Sequence, residues 1–438
     1  MDSRKAGRYR RIRAAARAAV STKRAADVGL AGVEPAERLA AFVDRFDLSP
    51  AWQRAARAVP RHLFAPARAW CGPDDHRDGF PIDQELRPEQ WWDAVYDEAA
   101  IITQIDDGAG DPATGQGRFT SSLSAPAAVF EFLRQLYVQD HHRVLEIGTG
   151  TGWTAALLSA RVGEQHVTTV EIDQQVADQA AVNLGAAGFK PRLVVADGAI
   201  GWPDGALYDR AHVTCGVRDI PLAWIKQLRP GGVLVAPWMP AWAPGHKLRL
   251  VADGRGGAVG RFVGDARYMI LRSQRLDAGL APLAGRARSA PPRPEDATQI
   301  REPLPPVGPP TDITTTTTLL DPRTVVGDAF GADVAIAAQL PMVSHRCEQQ
   351  PDGGFNLHIT SHGDSTRSQA LIQCTPDTDE YLVHENGPRQ LWQETEAAYL
   401  RWLQLGRPDR DRFGLSIDPD GRHTIWLDSP TNPISAGL

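Results

Sequence analysis

Residues 125–238 alternate short apolar segments with helical segments, and this alternation constrains the fold more than any other feature of the chain. The segments typical of strands are 143–147, 166–171, 192–195, 208–215 and 232–236. Helical patterns separate several of them, at 153–161, 174–187 and 221–228. Strands alternating with helices form βαβ units, which build a parallel sheet covered on both faces. The sequence therefore predicts an α/β fold, and strand patterns at 247–251 and 258–263 are expected to close the sheet as a hairpin.

A glycine-rich loop follows the first of these strands. It consists of Gly148, Thr149, Gly150, Thr151 and Gly152. Glycines allow a tight turn and a close approach of the backbone to a ligand, and the helix that follows starts with unpaired N–H donors. A loop of this kind can also be no more than a turn between strand and helix. The acidic residues around it are therefore needed to indicate a ligand.

Three acidic residues surround the loop. Glu171 ends the second strand, beside Ile172, where a carboxylate can accept hydrogen bonds from both hydroxyls of a ribose. Asp197 and Gly198 end the third strand, where Asp197 can accept from an adenine amino group. Glu146 precedes the loop and can help to hold an ammonium group. An amino acid, a ribose and an adenine together describe S-adenosyl-L-methionine (SAM) as the cofactor.

A nicotinamide dinucleotide is the alternative cofactor for a strand–glycine–helix motif. The spacing here is GxGxG, whereas the dinucleotide fingerprint is GxGxxG. A dinucleotide also carries a pyrophosphate, which the carboxylate of Glu146 would repel. A metal cofactor is not expected, because the four cysteines lie far apart and form no CxxC or Cys/His cluster. The residues therefore favour SAM.

Four stretches within residues 50–275 resemble the protein-L-isoaspartate O-methyltransferase family of class I SAM-dependent methyltransferases. They are VPRHLF at 59–64, SLSAP at 122–126, EIGTGTGW with AALL at 146–158, and DG with GWP, DR and VT at 197–214. The resemblance implies a Rossmann-like core, SAM as cofactor, and a carboxylate as methyl acceptor. It also implies that Ser124 orients the substrate, with Ser122 as the weaker candidate. Alternatively, Ser124 caps the helix that follows it, or does both.

The chain departs from that family in its length. About 60 residues separate the 59–64 segment from the serine motif, including an irregular insertion at about 70–118. The methyltransferase domain is expected at 36–275, after a basic N-terminal segment at 1–35. Nine prolines between 282 and 310, followed by a threonine run, predict a linker at 276–318. Residues 319–438 are expected to form a separate C-terminal accessory domain of α+β type.

The long form of the chain resembles methyltransferases that accompany ribosomally made peptide natural products. RFGL at 412–415 and TIWLD at 424–428 carry this second resemblance. It implies methylation of an aspartyl side chain in a cyclised peptide, after which the neighbouring amide closes an aspartimide. The alternative within the same chemistry is general repair of isoaspartyl residues. A peptide or protein substrate bearing Asp or isoAsp is expected in either case.

Methylation of a carboxylate needs little chemical assistance. A carboxyl group with a pKa near 4 is already ionised at neutral pH, so no general base is required. The enzyme has only to align the oxygen with the methyl group and remove water from it. A loop rich in Ser and Thr suits that task, and no metal is required.

Other classes of function have weaker support. Nucleic-acid methylation is disfavoured by the net charge of −6 and by the absence of an Asn/Asp-Pro-Pro-aromatic motif after the fourth strand. A non-catalytic binding module would not need the acidic residues around the loop. The stretch SHGD at 361–364 is interpreted as a polar loop, since adjacent residues cannot form a spatial triad. No apolar run is long enough for a membrane span, and a cytoplasmic location is expected. Oligomeric state stays open.

Overall fold

The computed structural model describes residues 35–73, 78–242, 245–276, 313–327, 330–351, 353–363, 367–376 and 378–435. The chain divides into two compact units, 1–47 and 48–438. The described part of the first unit contains helix α1 (Pro35–Asp44). The predicted basic segment 1–35 lies outside the described residues except for Pro35, and so do residues 277–312 of the predicted linker.

The second unit starts with a small antiparallel sheet where the sequence predicted an irregular insertion. Its helices and strands are α2 (Pro50–Ala58), β1 (Arg68–Pro73), β2 (Phe80–Asp83), α3 (Pro88–Tyr96), β3 (Ala99–Ile105) and β4 (Phe119–Leu123). The strand order is β2-β1-β3-β4. The run AAIITQI at 99–105 is typical of a strand and forms β3, whereas β1, β2 and β4 were not predicted. The prolines and glycines in β1 and β2 hid their strand character, because both residue types are depleted in strands.

A nine-stranded sheet forms the centre of the second unit. Its first seven strands and their helices are α4 (Pro126–Leu136), β5 (Val144–Ile147), α5 (Trp153–Val162), β6 (Val167–Glu171), α6 (Gln174–Ala186), β7 (Arg192–Val195), β8 (Tyr208–Val213), α7 (Leu222–Lys226), β9 (Leu228–Trp238), β10 (His246–Ala252) and β11 (Ala258–Asp265). Strands β5 to β9 pair in parallel, and β10 and β11 add an antiparallel hairpin. The predicted α/β class and Rossmann-like core are confirmed.

A third sheet, with five strands, follows β11 in the chain. Its helices and strands are β12 (Ile313–Thr318), α8 (Pro322–Val325), α9 (Phe330–Gln339), β13 (Val343–Gln349), β14 (Phe355–Ser361), β15 (Gln369–Cys374), β16 (Tyr381–Asn386) and α10 (Leu391–Gln404). The strand order is β12-β16-β15-β14-β13. The threonine run, predicted as linker, is the edge strand β12, and the β-branched side chain of threonine favours that conformation.

The chain then returns to the nine-stranded sheet. Strands β17 (Phe413–Ile417) and β18 (His423–Leu427) form a hairpin, and β17 pairs with β11. The complete order of the large sheet is β18-β17-β11-β10-β9-β8-β5-β6-β7. The five-stranded sheet is thus inserted between two neighbouring strands of the large sheet, and one apolar cluster includes residues of both. The predicted domain boundaries stay a prediction. They assign the β17–β18 hairpin to the accessory domain, but this hairpin pairs with the sheet of the methyltransferase domain.

The pairing of the β17–β18 hairpin with the large sheet predicts that substitutions of two leucines differ in their effect on stability. Leu415 of β17 is buried and belongs to the shared apolar cluster, whereas Leu400 of α10 is 43% exposed. We expect Leu415→Ala to lower the free energy of unfolding by about 2–5 kcal/mol, because it leaves a cavity in the core. Leu400→Ala is the control and should change it by less than about 0.5 kcal/mol. Urea denaturation measures both, and an equal effect of the two substitutions would contradict the pairing of β17 with the sheet.

Candidate functional site

A cleft opens at the carboxyl ends of β5 and β6. Its empty volume, which includes space open to solvent, is about 910 Å³. The glycine loop and the end of β6 form one wall, and the serines of β4 form another. The segment 268–275, which follows β11, closes a third side. In parallel α/β sheets, ligands bind at this edge.

The glycine loop has a conformation that other residues would strain. Gly148, Gly150 and Gly152 have φ of 91°, 55° and 89°. A Cβ atom on Gly148 would lie 2.6 Å from Thr214 Oγ1. A Cβ on Gly150 would lie 3.4 Å from the carbonyl oxygen of Ser122, so the loop also approaches β4 closely. Thr149 and Thr151 line the cleft between these glycines, as the sequence predicted for this loop.

Glu171 lies at the centre of the cofactor side. Its Oε2 accepts from the Gly150 N–H at 2.9 Å, and its Oε1 accepts from the N–H groups of Ile172 and Asp173 at 3.0 and 3.2 Å. Burial raises the pKa of Glu171, against the lowering effect of those three donors. Oε2, which accepts one hydrogen bond, has acceptor capacity left for a ribose hydroxyl. Glu171 and Ile172 therefore stand where the sequence placed the ribose site.

Glu146 lies beneath the loop and does not line the cleft. It is fully buried, and its Oε2 accepts from Thr169 Oγ1 at 2.7 Å. Thr169 Oγ1 in turn lies 2.7 Å from Thr149 Oγ1. Glu146 Oε1 has no hydrogen-bond partner among the described residues and lies 3.7 Å from His212 Nδ1. The predicted contact with an ammonium group stays a prediction, and the threonines supply the connection from Glu146 to the loop.

Asp197 and Gly198 follow β7, and of the two only Gly198 lines the cleft. Asp197 Oδ1 accepts from the Ala199 N–H at 2.9 Å and caps a short 3₁₀ turn. The other oxygen makes no hydrogen bond within the described residues and is available for a ligand amino group. Gly198 lines the cleft, and a Cβ there would lie 2.7 Å from Ile147 Cγ2. The residue at 198 therefore has to be small.

The acceptor side of the cleft is formed by the end of β4. Ser122 and Ser124 both line the cleft, and Ser122 Oγ lies 3.8 Å from Met269 Sδ. Helix α4 has Ala125 as its N-cap, with no side-chain capping bond, so the alternative interpretation of Ser124 as the cap is wrong. Within the described residues, Ser124 Oγ makes no hydrogen bond. It is therefore free to contact a substrate.

A buried arginine fixes the backbone of Ser124. Arg61 has no exposed surface and donates from Nη1 to the Ser124 carbonyl at 2.7 Å. Its Nε and Nη2 donate to the carbonyls of Val95 and Ala99 at 2.7 and 2.9 Å. The guanidinium also lies over the ring of Trp153, 4.5 Å from the ring centroid. Arg61 thus joins the acceptor strand to the first residue of the cofactor helix, a role that its place in the 59–64 motif did not reveal.

A charged network bridges the mouth of the cleft. Asp107 is 2.7 Å from Arg275 Nη1 and 3.1 Å from Arg272 Nη2, and Arg272 also contacts Asp173 at 3.1 Å. Desolvation alone would raise the pKa of Asp107, but the hydrogen bond and charges of these arginines and of Arg118 hold it below its ordinary value. Arg272 and Arg275 line the cleft. This network was not predicted, because Arg272 and Asp173, like Arg275 and Asp107, are more than 90 residues apart in the chain.

Two further observations limit the chemistry of the cleft. Cys215 lines it, but burial, and then the charges of Glu171 and Asp197, raise the pKa of its thiol, which disfavours the thiolate nucleophile. Within the part of the chain that the structure describes, no three His, Cys, Asp or Glu side chains group in a way that could hold a metal ion. The described helices also include none with the length and apolar character to cross a membrane.

Comparison with known proteins places these features in a family. The protein-L-isoaspartate(D-aspartate) O-methyltransferase family matches residues 88–269. A protein-L-isoaspartate O-methyltransferase of Methanosarcina mazei is 42% identical over 168 residues, covering 36% of this chain and 66% of that protein. Protein-L-isoaspartate O-methyltransferase 1 of Syntrophobacter fumaroxidans is 38% identical over 218 residues, covering 50% of this chain and 83% of that protein.

Solved structures with the same family name are also similar to this chain. One protein-L-isoaspartate O-methyltransferase has a TM-score of 0.48 with 19% identity, covering 90% of this chain and all of that one. A second, from Plasmodium falciparum in complex with S-adenosyl-L-homocysteine, has a TM-score of 0.40 with 11% identity, covering 54% of this chain and 98% of that one.

The carboxylate of Glu171 in the cleft, the strained glycine loop and the parallel sheet suit a nucleoside cofactor, and this combination is typical of a class I SAM-dependent methyltransferase. The predicted enzyme class, a SAM-dependent carboxyl O-methyltransferase, and its cofactor are confirmed. The chain belongs to the protein-L-isoaspartate O-methyltransferase family, because a relative well above 30% identity is matched over most of its length.

The contacts of Glu171 predict how cofactor binding depends on pH. Replacing Glu171 by Gln removes a charged acceptor, so we expect at least about tenfold weaker binding of S-adenosylhomocysteine by calorimetry. In the unchanged protein, affinity should fall as the pH is lowered from 7 towards 5, since protonation of Glu171 begins above its ordinary pKa. Glu171→Gln should lack that pH dependence. The control Asp178→Asn, on the exposed face of α6, should behave like the unchanged protein, and equal affinities at all pH values would contradict the assignment.

The network at the mouth predicts slower exchange of the bound nucleoside. Asp107→Asn weakens the contacts to Arg272 and Arg275, so we expect S-adenosylhomocysteine to dissociate about three- to tenfold faster in stopped-flow measurements. Glu85→Gln serves as the control, because Glu85 lies in the turn after β2 and outside the network. A dissociation rate unchanged by Asp107→Asn would show that the network does not restrain the ligand.

Proposed function

We propose that this chain transfers the methyl group of SAM to the carboxylate of an isoaspartyl residue in a peptide or protein. The observation that carries this proposal is the close approach of the glycine loop to the end of β4, where a Cβ added to Gly150 would lie 3.4 Å from the Ser122 carbonyl oxygen. An acceptor held at Ser122 or Ser124 would therefore meet the cofactor site. The relatives named protein-L-isoaspartate O-methyltransferase support this reading better than the aspartyl reading that the sequence analysis favoured.

The residues of the chain hold and orient the reactants. When bound, SAM supplies a methyl group on a positively charged sulfur. Glu171 would hold the ribose, and the backbone of the glycine loop, which lines the same cleft, would lie against the nucleoside. Ser124 Oγ donates to one oxygen of the substrate carboxylate, which leaves the other oxygen to attack in line. Arg61 keeps Ser124 in place through its carbonyl.

Exclusion of water is the second contribution of the protein. A carboxylate is a weak nucleophile while it is hydrated, and its reactivity rises when water is removed. The segment 268–271 places apolar side chains over the acceptor side, including Met269 next to Ser122. No proton needs to be removed from the carboxylate at neutral pH. The resulting ester has a better leaving group, so the neighbouring amide nitrogen can close a succinimide without further help.

A dedicated peptide-tailoring enzyme is the second candidate. It would methylate an aspartyl side chain of a shaped, cyclised peptide and lead to an aspartimide. The five-stranded sheet and the β1–β4 sheet support it, because both add surface that a shallow repair site does not need. The same chemistry serves both candidates, and they differ only in the carboxylate that is admitted. The cytoplasmic location stays a prediction for either.

Three matched peptides test the proposal. We would measure methyl transfer from SAM to a linear isoaspartyl peptide, to its linear aspartyl twin, and to the aspartyl twin closed into a ring. The proposal predicts base-labile methyl groups on the isoaspartyl peptide, with kcat/KM at least about a hundredfold above the linear aspartyl twin. Turnover of the cyclic aspartyl peptide alone would establish the second candidate instead. Absence of transfer to all three would contradict the proposal.

Ser124 and Ser122 predict a graded effect on methyl transfer. Ser124→Ala removes the donor that orients the carboxylate, so kcat should fall about ten- to a hundredfold with binding of S-adenosylhomocysteine unchanged. Ser122→Ala should have a smaller effect, because its hydroxyl is directed to Met269. Unchanged turnover in Ser124→Ala would remove Ser124 from the mechanism.

A further inference from the structure

The proposed mechanism does not use Arg218, a half-buried arginine near the segment that closes the cleft. Arg218 follows the end of β8 and is half-buried. Its backbone N–H donates to Gln274 Oε1 at 2.7 Å. Its side chain makes no hydrogen bond or ion pair within the described residues, and its Nε is buried without a partner. The two terminal nitrogens therefore carry unused donors.

The charge of Arg218 is not balanced by the protein. Desolvation lowers the pKa of Arg218, and the acid that opposes this shift is its neighbour Asp219. Asp219 is exposed and its Oδ1 lies 3.6 Å from His423 Nδ1. A guanidinium keeps its charge in proteins even when its pKa is lowered. A partly desolvated cation without a counter-ion is unfavourable, and an incoming anion would relieve that cost.

His362, in the connection between β14 and β15, lies within electrostatic range of both Arg218 and Arg367. His362 follows β14 and is 6% exposed; its Nε2 lies 2.6 Å from Ser344 Oγ, and its Nδ1 has no partner. Burial, followed by the charges of Arg218 and Arg367, lowers the pKa of His362 to about 4. Arg367 is exposed. Ser361 is the last residue of β14, so the polar loop predicted at 361–364 begins at His362, and Asp364 lies outside the described residues.

The position of Arg218 relates it to the acceptor side of the cleft. Gly216, two residues before it, donates to the Met269 carbonyl at 2.8 Å, and Met269 Sδ lies 3.8 Å from Ser122 Oγ. Arg218 is thus connected to the acceptor wall through Gly216 and Met269. It also lies at the carboxyl end of a parallel strand, where ligands of α/β sheets bind.

We propose that Arg218, flanked by His362 and Arg367, binds a second carboxylate of the peptide substrate, from an Asp or Glu side chain near the methylated residue. This inference rests on the proposed function and adds a preference for acidic neighbours to it. A peptide carboxylate fits better than a nucleic acid, because the cluster is small and the net charge of the chain is −6. The inserted sheet, whose β14–β15 connection supplies His362 and Arg367, then contributes to substrate selection.

The test compares glutamate with glutamine in otherwise identical peptides. Each peptide of about nine residues carries one isoaspartyl or aspartyl acceptor, and Glu or Gln is placed at each neighbouring position in turn. We expect the Glu peptide to have a kcat/KM about tenfold above the Gln peptide at one or two positions on one side of the acceptor. In Arg218→Met that ratio should fall to about one. Arg218→Lys should keep part of the preference, because it keeps the charge.

A matched control and a second readout make the outcome decisive. Arg255→Met removes an exposed arginine from the β10–β11 turn and should leave the Glu-to-Gln ratio unchanged. Fluorescence anisotropy of labelled peptides on the complex with S-adenosylhomocysteine measures the same preference without turnover. If no peptide is methylated, the proposed function fails while the Arg218 preference is still tested by binding. Equal binding of Glu and Gln peptides at every position, or a preference that survives Arg218→Met, would overturn this inference.

Discussion

The geometry of the site depends on the buried guanidinium of Arg61. Its three hydrogen bonds reach carbonyls of the α3–β3 connection and of the acceptor strand, and its plane covers the ring of Trp153 at the start of α5. Loss of this group would leave three carbonyls without a donor in a dry interior, which is more costly than the bonds themselves are stabilising. A single residue therefore sets the distance between the acceptor serines and the cofactor loop. Because that distance decides whether a carboxylate can meet a methyl group, a packing residue becomes a requirement for catalysis.

The additions to the family core are joined to it at both ends. The β1–β4 sheet precedes the parallel strands and supplies the acceptor wall, while Asp107 in the β3–β4 connection pairs with arginines that follow β11. The five-stranded sheet leaves after β11 and returns through β17, which pairs with that same strand. Arg261 of β11 strengthens the return, since it donates to the carbonyls of Arg412 and Asp428 and lies over the ring of Trp426. The inserted sheet is consequently joined to the large sheet on both sides, through β11 where it leaves and through β17 where it returns.

Local patterns predicted the parts of the structure that local physics determines. The strand–helix period, the glycine loop and Glu171 were identified because each is encoded by spacing within about 30 residues. Strands β1, β2 and β12 were missed because proline, glycine and a threonine run hide the alternation of a strand. The burial of Glu146, the reach of Arg61 and the pairs of Asp107 depend on residues distant in the chain, so no local pattern reveals them. The assignment of Ser124 needed both sources. A family resemblance indicated the residue, and the structure removed the alternative that it caps the following helix.

The central claim is that one cleft holds the nucleoside at Glu171 and presents the acceptor at Ser124. A crystal structure of the chain with S-adenosylhomocysteine tests it most directly. The account predicts both ribose hydroxyls within hydrogen-bond distance of Glu171, the adenine beside Asp197, and the sulfur facing Ser122 and Ser124. A nucleoside bound elsewhere, or a sulfur directed away from β4, would contradict it.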